Sequence, residues 1–248
     1  MKLEKTTLAE QTVNYILELI DDNRLGAGME MPSEMQVIRD LGVSRGVVRE
    51  AFKSLETLGV LQVESGKRPR VETFNPKALR IIFKFALATE QIEITDILEF
   101  RRLIEVANVV LAAKNGSQED FTAIRHHMDH IREDISNPTL FLEHDVAFHE
   151  ALANATQSPM HRIILKALRS AVEQTILEGL FEERLQNKAD QIVELHQRIT
   201  DAVCRRDEAG ALEAMEHHFD SVVGDLLGQS KATPLSKVGH SDNAGLHS

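Results

Sequence analysis

The sequence predicts a mainly α-helical protein in two parts, the first of which carries a small β-hairpin. Three observations carry this. Apolar residues recur at helical spacing through most of residues 7–228, and strand-like alternation is confined to residues 60–72. Aromatic residues make up 4% of the chain and Trp is missing, while Ala, Leu, Ile and Glu abound. Basic residues gather in one stretch of an acidic chain. Residues 39–70 hold seven Lys/Arg against four acids, a local balance of +3, where all 248 residues together carry −11. That net charge argues against nucleic acid wrapped over the whole surface, but not against a local basic patch.

Residues 7–22 predict the first helix, with Leu8, Val13, Ile16, Leu17 and Ile20 as its apolar stripe. Gly26 and Gly28 break it. Ser33 with Gln36 fits a capping box that opens a short second helix to about Leu41. Gly42-Val43 make a tight turn. A third helix runs from a Ser44 cap to a left-handed exit at Gly59. Val48, Ala51, Phe52, Leu55 and Leu58 form one face of it, and Arg45, Arg49 and Lys53 recur every fourth residue on another. Val60–Glu64 and Pro69–Glu72 read as two short strands around Ser65-Gly66-Lys67-Arg68, a hairpin with Lys67, Arg68 and Arg70 at its tip. Helix, tight turn, helix and hairpin make a winged helix-turn-helix. A short helix with a core face and a cationic face is what a DNA major groove accepts. The bland alternative is a solvated charged face, and the local clustering of charge favours DNA.

Phe74-Asn75-Pro76 marks the boundary between a first domain, 1–74, and a second, 75–228. The second reads as all-α with six or seven helices, over 77–88, 94–114, 117–135, 138–155, 158–180, 183–205 and 208–227. Breaks fall at Asn115-Gly116, Asn137-Pro138, Ser158-Pro159 and Arg206-Asp207. Residues 229–248 are polar and unpatterned, and are expected to be a disordered tail. The single cysteine, Cys204, has no internal disulfide partner, the first residues lack a signal-peptide core, and no apolar run approaches a membrane span. A cytoplasmic protein without a membrane partner is expected.

Four side chains of the second domain interrupt apolar stripes. Asp145 and His149 lie four apart in the row Leu142, Asp145, His149, Leu152. His196 falls in the row Ile192, His196, Ile199, Val203, and His218 in Leu212, Met215, His218, Val222. A buried polar group needs a partner, and one divalent cation would serve all four. Imidazole and carboxylate suit zinc, nickel, cobalt or manganese, and the lack of thiolate argues against a structural zinc knot. Separate core or surface histidines are the alternative. His144 and His217 fall off the inward rows, and His126, His127 and His130 read as one solvated face. Arg101 sits near the row Ile94, Ile97, Leu98, Ile104. It invites either an effector carboxylate or a salt bridge to an internal acid such as Glu105 at i+4.

The run Leu25-Gly26-Ala27-Gly28, Met31-Pro32-Ser33-Glu34, Leu41 to Ala51, Leu55 and Leu58 to Leu61 resembles the winged helix-turn-helix of the GntR family of bacterial transcription regulators. The second half, through Leu98 to Glu105, Ala112-Ala113, Asp145-x-x-Phe148-His149, Glu194-Leu195-His196 and Ala214-Met215-x-x-His218-Phe219, is similar to the ligand-binding domain of the FadR subfamily, the FCD type. The resemblance implies operator contacts at Arg45 and Arg49, a wing glycine at Gly66 entering the minor groove, and a DNA face completed by Ser33, Ser44, Gly46, Lys53, Ser65 and Lys67. Met35 stands where many relatives carry a basic residue, and Gly46 is unusual so near the start of a reading helix. The resemblance further implies a divalent metal ion, zinc or nickel first and manganese or cobalt next, held by Asp145, His149, His196 and His218. A small organic or sugar acid effector would bind there with Arg101 as counter-charge. The protein would be a homodimer on an inverted-repeat DNA operator, most often a repressor. Two other readings stand beside it. In one, the cation itself is the effector. In the other, the site is a metal-dependent hydrolase, because Asp and three His can activate water. Glu150 points off the inward row and no nucleophile or oxyanion arrangement is visible, so the expectation is that the protein is not an enzyme.

Overall fold

The computed structural model describes residues 6–172 and 176–230. They divide into two compact units. One comprises the residues up to Ile92 together with Ile163–Ala171, and the other Glu93–Arg162 with the residues from Val172 onward.

The first unit opens with α1 (Leu8–Asp22), started by a capping box in which Thr7 and Glu10 bond each other's backbone. Then come α2 (Glu34–Leu41) and α3 (Arg45–Thr57). Ser33 caps α2 by accepting from the Gln36 N–H, and Ser44 caps α3 by accepting from the Val47 N–H, both at 3.4 Å. Between them Gly42, at φ 66°, closes α2 in the left-handed region. Ile16, Met31, Val37, Val48, Ala51, Phe52, Leu55 and Leu61 form the core. The apolar stripes are narrower than the sequence suggests. On α1, Leu8 and Leu17 are exposed, and Thr12 is buried beside Ile16 because its hydroxyl donates to the Leu8 carbonyl. Leu58 is also exposed, because the helix has already ended there.

The hairpin is shorter than expected. Strand β1 (Leu61–Gln62) pairs antiparallel with β2 (Arg70–Val71), Leu61 opposite Val71. The residues before α2 supply a third edge. Glu30 bridges to Arg70, and the Met31 N–H donates to the Pro69 carbonyl at 2.7 Å. The same unit contains α4 (Lys77–Ala88), which has no buried residue. It is anchored at its start by the Lys77 ammonium donating to the Glu56 carbonyl at 3.2 Å.

The second unit is helical. Its members are α5 (Ile94–Asn115), α6 (Gln118–Glu133), α7 (Pro138–Ala155), the start of α8 (Pro159–Val172), α9 (Ile176–Cys204) and α10 (Glu208–Ser230). Helix α5 packs on α7, α9 and α10, α6 packs on α7 and α9, and α9 packs on α10. Phe121, Phe141, Phe148, Ile199, Met215 and Phe219 are the large side chains of their shared core. The expected break between 180 and 183 is not present. Helix α9 runs through it, and its one departure from helical backbone is at Lys188. Leu212, expected inward, is exposed. Helix α10 still includes Gln229 and Ser230, and the rest of the expected tail lies outside the described residues.

Arg206 makes the turn between α9 and α10 with a left-handed backbone, φ 60°. Its guanidinium donates to the carbonyls of Ala113, Lys114 and Gly116 at 2.7–3.1 Å, capping the C-terminal end of α5, and lies 4.9 Å from the centre of the Phe121 ring.

Gly59 is the most constrained turn of the first unit. Its φ is 75°, and a Cβ there would lie 2.8 Å from Asn75 Oδ1. Gly59→Ala is expected to destabilise the first unit by about 1–2 kcal/mol, the usual cost of a left-handed L-residue. Urea unfolding followed by far-UV circular dichroism checks this, and an unchanged midpoint contradicts it.

Candidate nucleic-acid interface and candidate metal centre

Helix α3 and the wing form the two walls of one groove of about 840 Å³. Arg45, Arg49 and Lys53 line one wall, Ser65, Gly66 and Lys67 the other, and Ser33 and Met35 close the end. Seven of the nine expected DNA-contact residues therefore share one concave surface. The other two, Ser44 and Gly46, are the cap and second residue of α3 and are also exposed. Their local roles explain the arrangement. Ser44 fixes where the helix starts, and spacings of four put the three cations on one face, beside the buried row of Val48, Phe52 and Leu55.

The groove is not uniformly basic. Glu34, Glu56 and Glu64 also line it. Lys67 pairs with Glu64 at 2.5 Å and holds that carboxyl below its ordinary range. Arg70, placed at the wing tip by the sequence, is turned back instead, donating to Glu30 at 2.7 Å and to the Gly28 carbonyl at 2.9 Å. Arg68 lies 3.8 Å from the same Glu30. Among the wing cations, Lys67 alone lines the groove. Gly66 has φ 77° and open space where a Cβ would stand, so its backbone can approach a ligand closely. A Cβ on Gly46 would meet nothing nearer than Ser44 Oγ at 3.8 Å, so packing does not require glycine there.

In the second unit the four inward candidates meet. Asp145 and His149 come from α7, His196 from α9 and His218 from α10, and all four are at least nine-tenths buried. The ligating nitrogens of the three histidines lie within 4.8 Å of one another. Asp145 Oδ1 stands 3.1 Å from His196 Nε2 and 3.7 Å from His149 Nε2. Donors held about 2.1 Å from one ion stand roughly 3–3.5 Å apart, a spacing that the Asp145–His196 pair already has and that the others approach. The outer nitrogens are oriented away from the centre. His196 Nδ1 bonds the Ile192 carbonyl at 2.8 Å, and His149 Nδ1 contacts a Glu105 carboxylate oxygen. Such partners fix the ring and leave the inner nitrogen to coordinate. His218 Nδ1 is buried without a hydrogen-bond partner.

Glu105 is the residue the sequence undervalued. It is 1% exposed, and Arg101 bonds it at 2.6 Å through Nη2 and 3.0 Å through Nε. Of the two readings of Arg101, the internal salt bridge is the one formed. Yet it joins the cluster, because the same carboxylate reaches His149. The signal was the i+4 spacing from Arg101, continued by Asn108, also buried. Arg101 lies 5.8 Å from the Phe219 ring, next in sequence to His218.

The comparisons with known proteins bear on both sites. The FCD domain model matches residues 96–221 and the model for bacterial regulatory proteins of the gntR family matches residues 8–71. The chain belongs to the GntR family. It is 30% identical to the HTH-type transcriptional regulator YcbG of Bacillus subtilis, over 91% of this chain and 92% of that one. It is 27% identical to the HTH-type transcriptional regulator LutR of the same organism, over 85% of this chain and 97% of that one. Among solved structures, Streptococcus agalactiae GntR shares the fold with a TM-score of 0.65 at 24% identity, over 86% of this chain and 98% of that one. This GntR-family chain is therefore a DNA-binding transcription regulator and not an enzyme, which removes the hydrolase reading. Among the described residues no helix is long and apolar enough to cross a membrane.

The cluster makes the fold sensitive to acid. His218 is held well below the ordinary imidazole pKa, first by burial and then by His196 and His149, against the pull of Asp145 and Glu105. The unfolded chain takes up a proton near pH 6.5 that the folded chain refuses. Its contribution to stability is complete above that pH and is lost as the pH falls below it, by up to about 1.4 kcal/mol per pH unit. Thermal unfolding in chelator between pH 7.5 and 5 is expected to show this loss, with a shallower slope in His218→Gln.

Proposed function

We propose that this regulator is a homodimeric repressor that reads an inverted-repeat operator through α3 and the wing. Its affinity for DNA is set by a small carboxylate bound beside a divalent cation in the helical unit. The observation that carries the DNA half is the shared groove of Arg45, Arg49, Lys53 and Ser65–Lys67. Arg45 and Arg49 sit in the first turns of α3, where a reading helix presents side chains to base edges. Lys53, one turn further, suits phosphate. The Gly66 backbone suits the minor groove. Two copies of α3, related by a two-fold axis, match the two halves of a palindromic site.

The charge of the helical cluster supports the effector half. Three imidazoles and one carboxylate would leave a divalent cation with net positive charge, the complement of a monocarboxylate. The cation supplies a Lewis-acidic anchor for a carboxylate oxygen. Asp145, His149, His196 and His218 hold it, with zinc or nickel best suited to three imidazoles and one carboxylate. Glu105 and the Ile192 carbonyl hold the rings of His149 and His196. Arg101, already paired, presents its remaining N–H groups to an anion without leaving a charge unpaired in the apo state. An effector acts by binding one arrangement of the helices better than the other.

Arg49→Ala is expected to weaken specific operator binding by about 1–3 kcal/mol while leaving dimerisation unchanged, measured by fluorescence anisotropy and sedimentation. Unchanged binding excludes α3 as the reading helix. For the effector half, thermal-shift screening of hydroxy acids and sugar acids should give stabilisation with metal-loaded protein and none with His196→Gln. The active acid should lower operator affinity. A response to free metal alone, with no acid active at fixed metal, selects the reading in which the cation is the effector.

A further inference from the structure

A second group of histidines lies outside the buried cluster. His126, His127 and His130 project from α6, and His144 projects from α7. The sequence places His126, His127 and His130 on one solvated face and His144 merely off an inward row, but the four rings gather. The His130 and His144 rings stack with centres 4.5 Å apart and planes 14° apart, and His126 meets His130 edge-on at 4.5 Å. Asp134, the residue that closes α6, reaches both stacked rings, with Oδ2 3.4 Å from His144 Nε2 and 3.9 Å from His130 Nδ1. One ligating atom from each of His130, Asp134 and His144 lies within 4.8 Å of the others. All three residues are half-buried, so the group opens to solvent while its helices are fixed beneath it by Met128, Ile131 and Phe141.

We propose that His130, Asp134 and His144 form a second site for a divalent transition cation, exchangeable with solvent and distinct from the buried cluster. The donor chemistry is two imidazoles and a carboxylate, which selects zinc, nickel or copper over magnesium and calcium. His126 stands one turn before His130 and packs edge-on against its ring, which holds that ring in place. Glu133 Oε2, 3.4 Å from His130 Nδ1, adds a second carboxylate at the rim. The C-terminal end of α6 points its partial negative charge at the same place. His127 is held below the ordinary imidazole range by burial and by repulsion from His126, His144 and His130, and its buried Nδ1 has no hydrogen-bond partner. A cation here ties the last turn of α6 to α7 at His144, next in sequence to Asp145. Because the donors are more open and wider apart than those of the buried cluster, this site is the weaker of the two and fills at higher free metal.

The test is Zn²⁺ titration of the full chain after chelator treatment, by isothermal calorimetry with metal analysis of the dialysed samples. The wild type is expected to take up Zn²⁺ in two classes per protomer. The double variant His130→Gln/His144→Gln should lose the weaker class, or weaken it by at least about tenfold, the loss caused by removing even an outer partner of a metal site. Its unfolding midpoint in chelator should match that of the wild type. His196→Gln should keep the class that the double variant loses. Equal stoichiometry and affinities in the wild type and the double variant overturn the proposal. A single class lost in the double variant and kept in His196→Gln supports this site and overturns the buried one, so the two readings fail separately.

Discussion

Burying a carboxylate is costly unless its charge is met, and the helical unit buries two of them within one cluster. Glu105 and Asp145 reside where the core also holds Phe148, Ile199 and Phe219. Arg101 answers Glu105 Oε1 directly, His149 Nδ1 meets Glu105 Oε2, and His196 Nε2 meets Asp145 Oδ1. The helices that carry these groups, α5, α7, α9 and α10, are the ones that pack on one another, so the apolar contacts and the polar pairing are satisfied in a single arrangement. Slipping any one helix by a turn would keep some of the apolar area but strand a charge. The polar cluster therefore selects the register of the bundle more than it adds to stability.

The reading head is built on a different principle. Its geometry comes from local devices, each settled within four residues of chain: a serine before α2, a left-handed glycine after it, a serine before α3 and a left-handed glycine after that. The cationic side chains need only project from this frame. Where the wing cations might have added to the charge, Glu30 restrains two of them. The groove then presents Lys67 on one wall against Arg45, Arg49 and Lys53 on the other. A reading surface with modest charge binds non-specific DNA less and leaves more of the discrimination to contacts at base edges.

This difference explains what could be read from the residues alone. Caps and turns are local, so the winged helix-turn-helix was legible almost element by element. Its errors are at stripe edges such as Leu8, Leu17 and Leu58, where helical periodicity cannot say how far the neighbouring helix reaches. The four inward candidates of the second unit were legible because each interrupts an apolar row. Glu105 was visible as a possible partner of Arg101, but its reach to His149 depends on how α5 meets α7, which neither helix encodes by itself. The His130–His144 contact was hidden for the same reason. Each helix taken separately shows a polar face, and only the packing of α6 on α7 brings the two faces together.

The cap formed by Arg206 joins events that are far apart in the chain. One guanidinium, set by the turn between α9 and α10, satisfies the last carbonyls of a helix that ended some ninety residues earlier. Fraying of the α5 terminus and opening of the α9–α10 turn therefore break the same three bonds. Amides at both places should exchange with solvent in step, as one opening unit rather than two independent loose ends. Since α5 carries Glu105 and α10 carries His218, both helices joined by that cap also reach the polar centre of the bundle.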